Sequence, residues 1–136
     1  MISGVTAKDF KMRRHTFDPW LAHFAEKSAG RLSAQGLALD IVERDRQLWE
    51  FKPETWAGPQ MVALTRVCVG EDVSVYIDAC AGSAAEDWRE ALDMTIRAWA
   101  RAQGGKRVFS MARPGWSRWA KTQGYRELHR EMMVEV

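Results

Sequence analysis

The chain has 136 residues, 46% hydrophobic and 28% charged, which fits one globular domain with a core of its own and leaves no room for a second of ordinary size. Twenty basic against eighteen acidic side chains give a net charge of +2, too small an excess to argue for a nucleic-acid or membrane partner. The charge is unevenly spread: +2 over residues 1–30, −5 over 31–100 and +5 over 101–136.

Residues 1–16 are polar and irregular and read as an N-terminal arm with at most a short strand or turn. Lys8, Lys11, Arg13 and Arg14 have no apolar segment behind them, so they do not form a secretory signal, and a cytoplasmic protein is expected. Asp18 followed by Pro19 reads as an N-cap and first helical position, with Trp20, Leu21, Phe24, Ala25 and Ser28 on one face before Gly30. From Ser33, apolar residues recur at helical spacing through Leu37, Ala38, Ile41 and Val42 to Leu48 and Trp49, although Gln47 to Phe51 fits a strand equally well. Pro53, Gly58 and Pro59 make residues 53–60 a loop, closing a helical part that spans 17–60.

Met61–Val69 and Val73–Ala79 alternate on either side of Gly70-Glu71-Asp72, a β-hairpin in which Cys68 faces Ser74. Cys80 then lies far along the strand from Cys68, so the two thiols are expected to be unbonded. No Cys-x-x-Cys is present, and His15, His23 and His129 make no metal-ligand spacing with the cysteines, so no metal is expected. Ser83 with Glu86 reads as a capping box opening a helix from Ala84 to Gln103, with Trp88, Leu92, Ile96 and Trp99 on its apolar face. Arg89–Asp93 and Asp93–Arg97 pairs are expected on its solvent side. Gly104-Gly105 stops it. A strand over Lys106–Ala112, a turn at Arg113-Pro114-Gly115, a short helix over Trp116–Gln123 and a last alternating strand over Glu127–Val136 follow.

Strand, long helix, strand, short helix, Gly-aromatic, strand: from Val73 onward this order gives an α/β domain, a mixed central sheet flanked by helices. It resembles the GNAT N-acetyltransferase superfamily. The carrying residues are Ala98-Trp99-Ala100-Arg101-Ala102-Gln103-Gly104-Gly105-Lys106-Arg107-Val108, similar to that family's third helix leading into its fifth strand. Trp116–Tyr125 is similar to its fourth helix with the Gly-aromatic end, and Glu127–Val136 to its sixth strand. The resemblance covers residues 73–136, within a family-like core of 61–136.

The resemblance implies acetyl-coenzyme A, held where the fourth strand hands over to the third helix, in residues Ala79, Cys80, Ala81, Gly82, Ser83, Ala84 and Ala85, with Arg113 and Arg118 supplying charge. Backbone N–H groups at a Gly-rich turn and helix N-terminus would meet the pyrophosphate. The family loop, Gln/Arg-x-x-Gly-x-Gly/Ala, has its glycines just before the helix; here Asp87 and Arg89 stand in those places and Gly82 comes too early. Glu86 and Asp87 put two carboxylates in the first turn, where they suit the helix dipole and repel an anion. The family's tyrosine acid, four residues before the Gly-aromatic pair, is replaced by Ala120. Tyr76, Asp78 and Tyr125 are the remaining acid–base candidates, with Glu50 and Glu54 as bases beside an acceptor.

Three functions follow from these residues. The first is a GNAT-like fold with a degenerate coenzyme site and a structural or protein-interaction role, as the resemblance to small phage internal virion proteins of this family implies, which would place it in a virion. The second is an active acetyl-CoA-dependent N-acetyltransferase with a variant loop. The third is nucleic-acid binding through Lys106, Arg107, Arg113, Arg118, Lys121, Arg126 and Arg130, interleaved with Trp116, Trp119 and Tyr125. A +5 excess is modest beside the roughly 6–10 phosphate contacts of a committed binder. The same basic face could dock an acidic protein surface, including the acidic middle of a second copy.

Overall fold

A computed structural model describes residues 1–111, 114–129 and 131–136. Five strands, β1 (Ile2–Val5), β2 (Gln47–Phe51), β3 (Met61–Val69), β4 (Val73–Gly82) and β5 (Arg107–Ser110), form one sheet in that order. Neighbours pair antiparallel except β4 and β5, which are parallel and joined by a crossover helix. The helices are α1 (Ala7–Met12), α2 (Arg14–Glu26), α3 (Ala34–Val42), α4 (Arg89–Ala102) and α5 (Pro114–Thr122).

Alternation along β2 and β3 sends successive side chains to opposite faces, and each face has its own core. On one, Phe10, Phe17, Leu21, Leu37 and Ile41 from α1–α3 pack over Leu48, Val62 and Leu64. On the other, Trp88, Leu92, Ile96 and Ala100 cover Trp49, Met61, Ala63, Val75 and Ile77, with Trp116 of α5 against their margin. Trp49 keeps its indole N–H satisfied there by donating to Thr65 Oγ1 at 2.8 Å. The hairpin register is as expected, Cys68 opposite Ser74, until a bulge: Leu64 faces Ala79 and Thr65 faces Ile77, leaving Asp78 as the extra residue. Gly104 (φ +77°) ends α4 as the glycine pair predicts.

Several expectations are corrected. Residues 1–16 are no arm: β1 is the sheet's edge strand and Phe10 of α1 is fully buried, because the scattered Ile2, Val5 and Phe10 each find a core. Within the 17–60 part, Gln47–Phe51, which fitted helix and strand equally, is the strand β2. Asp18 is not an N-cap; α2 starts at Arg14 and carries Pro19 inside it. Burial of Phe17 holds the extra first turn, and the Asp18 carboxylate accepts from Arg14 Nε at 3.0 Å. No Ser83 capping box forms. Ala84 turns left-handed (φ +49°), a 3₁₀ turn spans Ala85–Asp87, and α4 begins only at Arg89.

Asp93 is not on a solvent face. It is 8% exposed and accepts from Arg97 Nε and the Tyr125 hydroxyl, while Arg89 lies over the Trp119 ring instead. The last strand over Glu127–Val136 is also absent among the described residues. Tyr125 is tied to α4 by its hydroxyl and Glu131 to Arg31 by an ion pair, so the tail crosses the sheet edge instead of running along it. The Arg113-Pro114-Gly115 turn and Arg130 fall at least partly outside the described residues.

Candidate functional site

The turn between β4 and α4 is where the sequence reading places a coenzyme, and several of its polar groups are engaged within the protein. The Ser83 carbonyl accepts from the Gln60 side-chain amide (3.1 Å) and the Trp88 indole (2.8 Å). The Ser83 N–H donates to the Gln60 carbonyl, and those of Asp87 and Trp88 donate to Ala84 and Ala85. Gln60 also donates to the Asp87 carboxylate at 3.0 Å, which fixes that negative charge at the mouth of the turn. A Cβ on Gly82 would stand 2.6 Å from the Gln60 carbonyl, so this glycine permits close approach of the 53–60 loop and β3. Ala79 and Ala81 pack towards α1–α3, and Cys80 towards α4, where burial pushes its thiol up to about 12.

Asp78, projected by the bulge, is held by two guanidiniums: Arg66 Nε at 2.9 Å and Arg46 Nη1 at 3.3 Å. Arg46 reaches on to Asp40 at 3.0 Å. Arg66 lies 4.5 Å over the Tyr76 ring and donates to the Cys68 thiol at 2.7 Å, and Tyr76 stacks on Phe109 of β5 at 4.8 Å. One carboxylate oxygen of Asp78 accepts from Arg66 Nε, and the other is ion-paired with Arg46 without a hydrogen bond. Glu50 is likewise taken, bidentate to Arg13, and Glu54 is exposed on the 53–60 loop. Tyr125 donates to Asp93 at 2.9 Å beneath Arg97, and burial, reinforced by that carboxylate, raises its pKa well above the ordinary tyrosine value. A phenol so held is a poor proton donor to a leaving thiolate.

An open groove of about 1200 Å³ runs along β5 between α4, α5 and the tail. Tyr76, Arg118 and Tyr125 line it; Asp78 and the 79–85 turn do not, so the structure divides the expected site residues into two places. Arg113 lies outside the described residues. The aromatic residues of the basic quarter are used internally: Trp116 stacks on Trp88 (6.2 Å) and contacts Trp119 (5.1 Å). Lys106 and Arg107 pair with Asp72, and Lys121 approaches Glu127 at 3.9 Å. Among the described residues no group of three His, Cys, Asp or Glu could hold a metal ion, both cysteines are free, and no helix is long and apolar enough to cross a membrane.

The sequence reading missed Gln60, Trp88 as a hydrogen-bond donor, and the Arg46–Asp78–Arg66 cluster. Gln60 sits in a Pro- and Gly-rich loop and the two arginines lie on different elements, so neither gives a periodic signal.

No family model and no curated protein matches the sequence. Solved structures do match the fold. A probable acetyltransferase superposes with a TM-score of 0.75 at 10% identity, covering 100% of this chain and 97% of that one. A ribosomal-protein-alanine N-acetyltransferase from Brucella melitensis biovar Abortus 2308 gives 0.70 at 13% identity (100% and 99%). Glucosamine-6-phosphate N-acetyltransferase from Arabidopsis thaliana gives 0.71 at 12% identity (99% and 97%). The chain has a GNAT-like α/β fold, the first half included.

Proposed function

We propose that this chain is a GNAT-fold scaffold that does not hold acetyl-coenzyme A at the turn after β4 and serves a structural or protein-interaction role. The observation that carries this reading is the turn itself. A pyrophosphate needs free backbone N–H groups and positive potential. Here the N–H groups of Ser83, Asp87 and Trp88 already have partners, and Glu86 and Asp87 put negative charge in the 3₁₀ turn that precedes α4. The residues present do not fit the cofactor, and two of the acid–base candidates are held by other groups: Asp78 is clamped between arginines and Tyr125 is bound to Asp93.

Calorimetric titration with acetyl-coenzyme A, repeated with coenzyme A, tests this on protein whose circular dichroism shows it folded. No saturable heat up to millimolar ligand is expected. Saturable one-to-one binding in the micromolar range, about −8 kcal/mol, would overturn the reading in favour of an active N-acetyltransferase with a variant loop.

A further inference from the structure

Helices α1–α3 cover only part of their face of the sheet. The core beneath them takes in Val62 and Leu64 of β3 and Ala79 and Ala81 of β4, and goes no further towards the β3–β4 turn. Beyond it the same face continues in two cross-strand rows over β3, β4 and β5. Arg66, Tyr76 and Phe109 make the first row and stand as a ladder: the guanidinium lies 4.5 Å over the Tyr76 ring, which stacks on Phe109 at 4.8 Å and 19°. Cys68, Ser74 and Arg107 make the second. Cys68 and Ser74 are short, so that row is hollow, a depression of about 530 Å³ between Arg66, Arg107 and the 70–72 turn.

Phe109 ends the ladder. Among the described residues no further ring meets it, and it lines both this depression and the 1200 Å³ groove, so the two make one continuous surface. Cations flank that surface. Arg101, Arg118 and Arg126 are exposed and, among the described residues, pair with no carboxylate. Lys106 and Arg107 share the Asp72 carboxylate in pairs open to water, which exchange readily for another anion. The two carboxylates of the groove, Glu127 and Glu131, already face Lys121 and Arg31. Trp116, by contrast, is spent on Trp88 and Trp119, so the stacking surface beside these cations is in the sheet and not in α5.

We propose that this surface binds single-stranded nucleic acid: an unpaired base extends the ladder on the free face of Phe109, and the flanking phosphates meet Arg101, Lys106, Arg107, Arg118 and Arg126. A ring face that ends in the open suits any unpaired base. A duplex keeps its base faces stacked inside, and an acidic peptide uses the cations but brings no base to the ladder. Five cations are fewer than a committed binder uses, so binding is about micromolar at low salt and weakens with salt along a log–log slope of about −3.5. The ladder sits at the hairpin end of β4, away from the turn that follows Gly82, so nucleic-acid binding and coenzyme binding are independent and either can fail alone.

Fluorescence anisotropy of a labelled single-stranded thymidine oligomer, about 15 nucleotides long, titrated with the full chain tests the proposal. Saturable binding at about 50 mM salt is expected, at least fivefold tighter than to a duplex of the same length or to a poly-glutamate peptide. Phe109→Leu keeps the apolar volume and removes the ring face; with circular dichroism unchanged, it is expected to weaken binding at least fivefold. Arg101→Gln combined with Arg118→Gln alters two exposed side chains that folding does not need, so it tests the surface even if Phe109→Leu unfolds. It is expected to weaken binding at least fivefold and to flatten the salt slope by about 1.4. No saturable binding, equal binding of the duplex or the peptide, or unchanged affinity in either folded variant would overturn the proposal.

Discussion

At the scale of single residues, Asp78, Tyr125 and Glu50, which sequence spacing offers for acid–base work, are engaged in holding the fold. Asp78 neutralises Arg46 and Arg66 where β3, β4 and the turn after α3 converge, and Tyr125 caps Asp93 on α4. Cys80 and Tyr125 both have acid forms favoured by burial, and that gives stability a definite pH dependence. A thiol raised from 9.0 to about 12 contributes stability that is fully present below the unfolded value and is lost as pH rises from about 9 towards 12, because only the unfolded chain then releases its proton. Tyr125 acts in the same direction at higher pH. Urea midpoints taken near pH 8 and near pH 10.5 should therefore fall by an amount equivalent to up to about 2 kcal/mol. Cys80→Ala should flatten the part of that slope between pH 9 and 10.5. An unchanged slope would place the thiol in contact with water.

At the scale of elements, the hairpin, the core of α4 and β5 were legible because each has strong periodicity or a glycine boundary. The hairpin register followed from alternation alone, Cys68 opposite Ser74. The start of α4 was not legible, since Ser83 and Glu86 make a valid capping pattern that loses to the Trp88 indole and the Gln60 amide, both of which need the Ser83 carbonyl. The last strand failed for a different reason: alternation marks a segment able to pair, but pairing needs an edge aligned with it, and anchors at Tyr125 and Glu131 turn the chain across that edge. Gly82 illustrates how a glycine near an expected phosphate turn can serve packing. Gly82→Ala would push a methyl against the Gln60 carbonyl at 2.6 Å and Met61 Cα at 3.0 Å, both backbone atoms that cannot swing away. Its cost should be about 1–3 kcal/mol by urea denaturation. Gly58→Ala, in the 53–60 loop with open space around it, should stay within about 0.5 kcal/mol of wild type.

For the whole molecule, one sheet serves two cores, and its strands couple them. Leu48 and Trp49 are adjacent on β2 yet belong to opposite faces, as do Val62 and Met61 on β3, so neither core can loosen without moving the other's side chains. The first ten residues tighten this further: Ile2 enters the core under α4, whereas Val5 and Phe10 enter the core under α2 and α3. Sequence periodicity could not show this, because three isolated apolar residues make no pattern until the sheet and helices surround them. Phe10→Ala should accordingly destabilise the protein by about 3–5 kcal/mol, where the same change in a peripheral arm would have almost no effect. The probe matters as much as the size of the change. Trp49, Trp88, Trp99 and Trp116 report mainly from the opposite face, so the denaturant transition followed by tryptophan fluorescence should shift to lower urea together with the one followed by far-ultraviolet circular dichroism. If the fluorescence transition stayed in place while the dichroism signal moved, the two cores would be separate cooperative units and the strands between them would be passive.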